Sequence, residues 1–172
     1  MIPPAPIPPS PISSAPILAT LINAARAKGQ RIASAESCTG GMIGAALTAV
    51  PGSSDVYDRG FITYSNAAKT QMLGVRPETL AACGAVSEAV ASEMAAGALQ
   101  RADASLAIAV TGIAGPGGSD HKPEGRVCFG LAAAGQATRT STVEFGAIGR
   151  DAVRAATVAE ALALLAGAVA RL

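Results

Sequence analysis

The turn that contains Ser37 is the first of three segments whose residue types could carry out chemistry. It reads ESCTGG over residues 36–41 and lies between a predicted strand and a predicted helix. Ser37 is either a helix N-cap, because serine is among the best capping residues, or a nucleophile. In the second interpretation, free amides in the rest of the turn would stabilise an oxyanion or a phosphate. Cys38 is an alternative nucleophile, although a small buried thiol is the more ordinary interpretation.

A serine nucleophile needs a base, and Lys69 in the second segment is the better candidate. If Ser65 or Asn66 caps the following helix, Lys69 lies in its first turn, where the helix macrodipole opposes a cation and favours the neutral amine. A neutral amine can take the proton of a serine. Tyr64, at the end of the preceding strand, could pass that proton or hold a hydrogen bond. The alternatives are a surface lysine and a half-buried tyrosine.

The only histidine in the chain, His121, provides a competing hypothesis. A Ser-His-Asp arrangement would need it to reach Ser37 with Asp120 or another acid behind it, so a solvated loop histidine is the favoured interpretation. No cluster of His, Cys, Asp and Glu has metal-ligand spacing, so no metal site is expected.

The third segment is a glycine-rich loop that follows the apolar run SLAIAV of residues 105–110. It has four glycines within residues 112–118 but matches neither the Walker A pattern nor the dinucleotide-binding G-x-G-x-x-G pattern. An anion-binding nest and a purely structural turn are both consistent with this composition.

Two arginines, Arg150 and Arg154, lie at the start of the last predicted helix, and their spacing of four places them on one face. Basic residues at a helix N-terminus are electrostatically disfavoured, so an anionic partner would explain them. The alternative is a pair of exposed arginines, with Asp151 offsetting part of the electrostatic cost.

Helices and strands alternate along the chain, which predicts an α/β fold, a three-layer α/β/α sandwich with a mixed central sheet. Open α/β sheets bind ligands at the carboxyl ends of their strands. All three chemical segments follow predicted strands, so they could converge on one pocket. The predicted strands cover residues 30–35, 56–64, 105–110, 126–134 and 138–145, and the predicted helices begin at residues 17, 39, 88 and 149, with one more around Lys69.

The composition limits the class of protein. With 172 residues the chain has room for one domain, and its 50% hydrophobic and 15% charged residues argue against extensive disorder. A net charge of +1 gives no overall field that would attract nucleic acid or an anionic membrane, so neither partner is expected. Because only 3% of the residues are aromatic, the core must form by close approach of helices and sheet.

The ends of the chain carry further expectations. Residues 1–16 contain seven prolines and are predicted to be a disordered or polyproline II tail, which leaves residues 17–172 as the domain. This tail lacks the basic region of a signal peptide. The apolar C-terminal stretch carries Arg154 and Glu160, so no transmembrane helix is expected. Three cysteines without a C-x-x-C pair indicate a reducing compartment, and the cytoplasm is the expected location.

Several longer motifs can be compared with known families as a set. They are Ala35–Gly41, Pro51–Ser54, Arg59–Asn66 followed by Lys69, Gly84–Ser87 and Val110–Gly118. In content and order they closely resemble the CinA C-terminal domain family, whose characterised members include nicotinamide-nucleotide amidases. The resemblance covers roughly residues 17–170. It indicates the stand-alone form of the family, without the N-terminal domain of its larger members.

The resemblance implies an amidohydrolase that converts nicotinamide mononucleotide (NMN) to nicotinic acid mononucleotide and ammonia in pyridine nucleotide salvage. Carried over by motif, Ser37 is the nucleophile, Lys69 the general base and Tyr64 an assisting residue. The resemblance implies no cofactor. It implies a homodimer or a higher homo-oligomer. Residues implied to bind the substrate include three at the oxyanion: Thr39, Gly40 and Gly41. The others are Asn66, Thr111, Gly112, Gly115, Gly117, Arg150 and Arg154. Which of the two arginines binds the phosphate is left open.

One segment departs from the family pattern. Within residues 119–126, Glu124 stands where the family has an apolar residue, and Arg126 stands where it has threonine. The change bears on substrate recognition more than on the nucleophile. Two alternative functions therefore stay open: a non-catalytic module that binds a nucleotide or a partner, favoured by the glycine-rich loop, and a hydrolase of a different small amide, favoured by this segment.

Overall fold

The computed structural model describes residues 15–119 and 121–172, in which a five-stranded sheet lies between two layers of helices. The strands are β1 (Ile32–Glu36), β2 (Tyr57–Ile62), β3 (Leu106–Gly112), β4 (Arg126–Ala133) and β5 (Arg139–Glu144). The helices are α1 (Ala15–Ala27), α2 (Met42–Thr48), α3 (Asn66–Leu73), α4 (Pro77–Cys83), α5 (Glu88–Arg101) and α6 (Arg150–Arg171), with a short 3-10 helix at Ser53–Asp55.

The sheet is mixed, as predicted, and its strand order is β2-β1-β3-β4-β5. β1 runs parallel to both β2 and β3, whereas β4 is antiparallel to β3 and to β5. Because parallel neighbours end at the same edge, the carboxyl ends of β1, β2 and β3 lie side by side. The Ser37 turn, the Tyr64–Lys69 segment and the glycine-rich loop follow these three strand ends, one after each.

Each face of the sheet has its own buried core, which confirms the three-layer arrangement. On one face, α1, α2 and α6 pack against larger side chains of the strands, such as Ile32 and Ile108. On the other face, α3 and α5 pack against small side chains of the same strands, such as Ala33 and Ala107. The alternation of large and small residues along β1 and β3 therefore lets one helical layer lie closer to the sheet than the other.

Two glycines permit the close approach of α5 to its neighbours. A β-carbon at Gly97 would lie 2.0 Å from the carbonyl oxygen of Leu73, and one at Gly130 would lie 2.2 Å from the carbonyl oxygen of Ala91. Both distances are far below van der Waals contact, so α5 would have to move away from α3 and from β4. This tight packing is what the scarcity of aromatic residues predicts.

The structure corrects several predicted boundaries of helices and strands near the chemical segments. α2 begins at Met42 rather than at residue 39, so the turn after β1 is longer than expected. β3 extends to Gly112, so Thr111 and Gly112 are strand residues rather than loop residues. No helix is predicted where α4 lies, although Pro77 in its first turn is a recognised start signal.

The N-terminal boundary also differs from the prediction. α1 begins at Ala15, so Pro16 lies in the first turn of a helix, where proline is tolerated, and not in the tail. The proline-rich residues before Ala15 lie outside the described residues, and the character predicted for them stays a prediction.

α6 is the helix in residues 15–119 and 121–172 that is long and apolar enough, by length and composition, to cross a membrane. In the fold it is a core helix, because its apolar stripe packs against the sheet and against α1. This arrangement is consistent with a soluble domain. The buried residues of the stripe are Val153, Val158, Ala161, Leu162, Leu165 and Val169.

Candidate active site

Ser37 is the first residue after β1, at the edge where three strands end together. Its amide donates a hydrogen bond of 3.1 Å to the carbonyl of Val110 in β3, which ties the turn to the neighbouring strand. Only 8% of Ser37 is exposed. The N-cap of α2 is Gly41, so the capping interpretation of Ser37 is wrong.

The turn after Ser37 depends on two glycines. Gly40 has φ 58° and Gly41 has φ 102°, a left-handed conformation that side chains other than glycine rarely adopt. The Gly40 amide donates to the Ser37 carbonyl at 3.1 Å, and the Met42 amide donates to the Thr39 carbonyl at 3.2 Å. The strand is thereby converted into a helix within a few residues, and Ser37 is held at the bend.

Lys69 reaches Ser37 from α3. Its Nζ lies 3.0 Å from Ser37 Oγ, 2.9 Å from the Thr63 carbonyl oxygen and 3.3 Å from the Tyr64 carbonyl oxygen. The side chain is 1% exposed. Ser65 caps α3, because its hydroxyl accepts a hydrogen bond from the Ala68 amide, and this places Lys69 in the first turn as predicted.

The surroundings of Lys69 Nζ favour the neutral amine. Burial lowers the pKa of Lys69, with a smaller opposite contribution from Cys38. The prediction had the right direction, but it relied on the helix macrodipole, whereas desolvation is the larger cause. A neutral amine has two N–H donors and one lone pair. The two carbonyl oxygens can take the donors, which leaves the lone pair for the hydroxyl proton of Ser37.

The two alternative catalytic residues do not fit. Cys38 is 5% exposed and belongs to the core beside α1 and α6. Burial raises the pKa of its thiol to about 11, which disfavours the reactive thiolate. His121 is exposed, and no hydrogen bond joins it to Ser37 in the described parts of the chain. Its predicted partner Asp120 lies outside the described residues.

Tyr64 takes part in the site in a different way from the prediction. Its carbonyl accepts from Lys69 Nζ, but its side chain is 62% exposed. The phenolic oxygen accepts a hydrogen bond of 3.1 Å from Arg150 Nη2, and it makes no hydrogen bond to Ser37 or Lys69 within residues 15–119 and 121–172. In this conformation the Tyr64 hydroxyl therefore lies at the rim and does not relay a proton.

The two arginines near the start of α6, Arg150 and Arg154, join the three segments. Arg150 Nη1 donates to the Gly115 carbonyl at 2.9 Å, so this side chain links the glycine-rich loop to Tyr64. Arg154 donates from Nε to the Cys38 carbonyl at 3.1 Å and from Nη2 to the Thr39 carbonyl at 3.2 Å. The predicted convergence is confirmed, but Arg154 uses two of its donors on the protein itself.

Glu36 is an important site residue that the sequence reasoning missed. It is 1% exposed, and its carboxylate accepts five hydrogen bonds. The amides of the first turn of α2 point at this carboxylate, which therefore caps the helix. An acidic residue at the end of a buried strand, directly before a helix N-terminus, is the signal that could have revealed it. The donors are Thr39 Oγ1 at 2.6 Å, Ser34 Oγ at 3.3 Å, and the amides of Gly41, Ile43 and Gly44 at 2.9, 3.0 and 2.9 Å.

These contacts change the assignment of the oxyanion site. The Gly41 amide binds Glu36 and the Gly40 amide binds the Ser37 carbonyl, so neither is available as a donor. The Thr39 hydroxyl is also taken by Glu36. The predicted use of the Gly40 and Gly41 amides is therefore wrong, and only the amides of Cys38 and Thr39 are left in this turn.

The glycine-rich segment is also partly occupied by the protein. The Thr111 hydroxyl donates to the Ala85 carbonyl at 2.8 Å. The Gly117 amide donates to Glu124 Oε2 at 2.6 Å. Glu124, which departs from the family pattern, thus places an anion where a ligand's anion was expected. A β-carbon at Gly115 would lie 2.3 Å from Glu124 Oε1, so the carboxylate closes this side of the loop.

Gly112 and Asn66, two residues predicted to contact a ligand, have different positions in the structure. A β-carbon at Gly112 would lie 2.6 Å from the Val127 side chain, so glycine there serves the packing of β3 on β4. Asn66 is exposed as the first residue of α3 and is free to meet a ligand at the rim.

Within residues 15–119 and 121–172, no group of three or more His, Cys, Asp or Glu side chains is arranged to hold a metal ion.

Known proteins that are similar to this chain show its family. Residues 14–169 match the family described as CinA C-terminal domain. The nicotinamide-nucleotide amidohydrolase PncC of Escherichia coli K12 is 51% identical over 143 residues, which cover 83% of this chain and 86% of that protein. A crystal structure of the competence/damage inducible protein CihA from Agrobacterium tumefaciens superimposes with a TM-score of 0.86, at 46% identity, and covers 94% of this chain and 97% of that one.

Longer relatives contain the same domain. The CinA-like protein of Chlorobium phaeobacteroides is 56% identical over 121 residues, or 69% of this chain, but this chain spans only 29% of that relative. The corresponding share is 26% for the CinA-like protein of Chloroherpeton thalassium. The matched residues cover nearly all of the described fold and include Ser37, Lys69, Arg150 and Arg154. The chain therefore belongs to the CinA C-terminal domain family.

Proposed function

We propose that this chain is a nicotinamide-nucleotide amidase, which hydrolyses the carboxamide of NMN to nicotinic acid mononucleotide and ammonia in pyridine nucleotide salvage. The observation that carries the proposal is the buried Lys69 Nζ at 3.0 Å from Ser37 Oγ. Relatives that carry the name nicotinamide-nucleotide amidohydrolase, at 51% and 52% identity over most of the chain, support the choice of substrate.

The first half of the proposed reaction forms an ester. Ser37 Oγ attacks the carboxamide carbon while its proton moves to the neutral Lys69 Nζ. The tetrahedral oxyanion is held by backbone amides of the Ser37 turn. When the C–N bond breaks, Lys69 returns the proton to the leaving nitrogen, which departs as ammonia. The nicotinoyl group is then attached to Ser37 Oγ.

The second half regenerates the enzyme. A water molecule attacks the ester carbon and gives one proton to Lys69 Nζ. The second tetrahedral intermediate collapses, the C–Oγ bond breaks, and Ser37 takes that proton back. The second proton of the water passes to solvent as the product ionises to a carboxylate, and both side chains return to their starting protonation states.

The 5′-phosphate of NMN is proposed to bind at the rim, beside Arg150 and the glycine-rich loop. Both arginines donate two hydrogen bonds within the chain, but Arg150 is exposed at the mouth of the site, whereas Arg154 is half-buried. Of the two arginines, Arg150 is therefore the proposed phosphate ligand. An arginine suits a phosphate because its guanidinium can donate two parallel hydrogen bonds to the phosphate oxygens.

We also propose that the chain acts in the cytoplasm as a homodimer or a higher homo-oligomer. Cys83 is exposed as a free thiol, which agrees with a reducing compartment.

Ile62 and Met72 are 53% and 41% exposed, and such apolar side chains could be covered by a second copy. Light scattering on purified protein will give the oligomeric state.

The activity is tested by measuring ammonia release from NMN, nicotinamide and NAD in parallel. We expect turnover with NMN that is lost in Lys69→Ala and in Ser37→Ala. Turnover of another amide in preference to NMN would support the hydrolase with a different substrate. Binding of NMN without turnover, which survives both substitutions, would support the binding module instead.

A further inference from the structure

The backbone amide of Thr39 is a buried polar group in the Ser37 turn. Thr39 is 0% exposed. Its hydroxyl donates to Glu36, and its carbonyl accepts from Arg154 and from the Met42 amide. Its own amide has no acceptor within residues 15–119 and 121–172. Buried backbone N–H groups without a partner are rare, because each costs the free energy of a lost hydrogen bond.

Arg154 determines the direction of this amide. The Cys38 carbonyl and the Thr39 N–H belong to one peptide unit, and in a trans peptide the two point in opposite directions. Arg154 Nε holds the Cys38 carbonyl from the side of α6. The Thr39 N–H therefore points away from α6.

The opposite side is where the catalytic lysine lies. α6 packs on one face of the sheet, through the core that contains Val153. α3 packs on the other face, through the core that contains Leu73, and it carries Lys69. The Thr39 N–H is thus turned toward the side from which Lys69 reaches Ser37.

We propose that Arg154 is a positioning residue that creates the oxyanion hole. By holding the Cys38 and Thr39 carbonyls, it presents the Thr39 amide to the oxyanion, and the Cys38 amide, one residue after the nucleophile, supplies the second donor. Glu36 holds Thr39 through its hydroxyl, so the residue is fixed from both sides. This inference rests on the proposed function, and it assigns Arg154 to the turn rather than to the substrate's phosphate.

The variant that tests this role is Arg154→Lys. Lysine keeps the charge but lacks the planar fork that bridges two carbonyls. We expect kcat for NMN to fall about 100-fold, the effect of losing one oxyanion donor, while KM changes less than about threefold. Because the base is untouched, the acidic limb of the pH profile should not move. Arg171→Lys, in the last turn of the same helix, is the matched control and should change neither constant.

A second measurement is independent of the natural substrate. When a small fluorophosphonate reacts, Ser37 Oγ bonds to phosphorus, the P–F bond breaks to release fluoride, and the Ser37 proton passes to Lys69. The developing charge on the phosphoryl oxygen uses the same donors. Intact-mass analysis gives the labelling rate, which we expect to fall about 100-fold in Arg154→Lys. Thermal unfolding of each variant shows whether the fold is retained.

The outcomes separate the two proposals. A raised KM with unchanged kcat, or an unchanged labelling rate, would overturn the positioning role and return Arg154 to the substrate. Wild-type protein that is labelled at Ser37 but releases no ammonia from NMN would refute the proposed substrate, and the labelling rates would still decide the role of Arg154. Wild-type protein that is not labelled at all would overturn the positioning role.

Discussion

Lys69 Nζ donates to, or accepts from, Ser37 Oγ across 3.0 Å, although the two residues are 32 positions apart in the sequence and lie on different elements. The contact crosses from α3 to the turn after β1, and both groups are shielded from water. A neutral buried amine that donates to the two neighbouring carbonyls keeps its lone pair for the hydroxyl of Ser37.

Replacing the nucleophile gives the simplest prediction. Ser37→Ala should lower kcat/KM for NMN by about 10⁴-fold or more, since loss of a covalent nucleophile removes the whole acylation route. Cys38→Ala is the matched control, because its thiol is buried in the core and has a pKa raised to about 11. Ammonia release measures both. If Cys38→Ala loses activity while folded, the nucleophile has been misassigned.

The pH dependence of the rate should report Lys69. Because burial lowers its pKa, a fraction of the amine is neutral below the ordinary value of 10.5, and the rate should rise with pH as this fraction grows. Lys69→Arg should remove the activity across the accessible range, since arginine stays protonated. The measurement is kcat/KM for NMN against pH. A rate that falls with pH in this range would contradict the role of base.

Lys69 should also make the stability of the fold depend on pH. Its pKa is lower in the folded protein than in the unfolded chain, so between the two values the unfolded chain binds more protons. The free energy of unfolding should therefore rise as pH increases toward 10.5. Lys69→Met should remove this contribution and be at least as stable as the wild type at neutral pH.

Denaturant unfolding at several pH values tests the last prediction. The difference between wild type and Lys69→Met isolates the lysine, because other groups titrate in both proteins. Cys38 contributes the opposite slope above 9.0, since its pKa is raised in the folded state. Equal slopes in the two proteins would show that Lys69 is not the source.

The Glu36 carboxylate should be essential to the turn. Glu36→Ala leaves buried donors of the first turn of α2 without an acceptor, and we expect the free energy of unfolding to fall by about 3 kcal/mol or more. Glu78→Ala, in the first turn of α4, is an exposed acidic control and should change stability by about 0.5 kcal/mol or less. Urea unfolding measures both values, and similar losses would contradict the capping role.

Glu124 should weaken the binding of phosphate. Its carboxylate accepts from the Gly117 amide at 2.6 Å, so it competes with an anionic ligand for the loop. Glu124→Ala should lower KM for NMN by about threefold to tenfold, which corresponds to about 1 kcal/mol. KM for nicotinamide riboside, which has no phosphate, should not change. An equal effect on both substrates would mean that the loop does not hold the phosphate.

The fold class could be predicted from the sequence, and so could Ser37 and Lys69 as the candidate nucleophile and base. Hydrophobic periodicity is a local property, and it located the strands and most helices. The apolar run of β3 was recognisable because a strand buried on both faces needs no polar residue. Ser37 and Lys69 were recognisable because a helix start and a strand end are also local, and the family motifs surround them.

The helices, the strands and the residues that could react follow from local sequence, whereas the partner that each of these residues binds follows from the packing of the elements. Local sequence cannot show that Glu36 takes the amides of α2, that Arg154 holds the Cys38 and Thr39 carbonyls, or that the Tyr64 hydroxyl faces Arg150. These partners depend on distances between elements that are remote in the chain. A buried donor or acceptor forms its hydrogen bond with whichever partner the packing brings within about 3 Å.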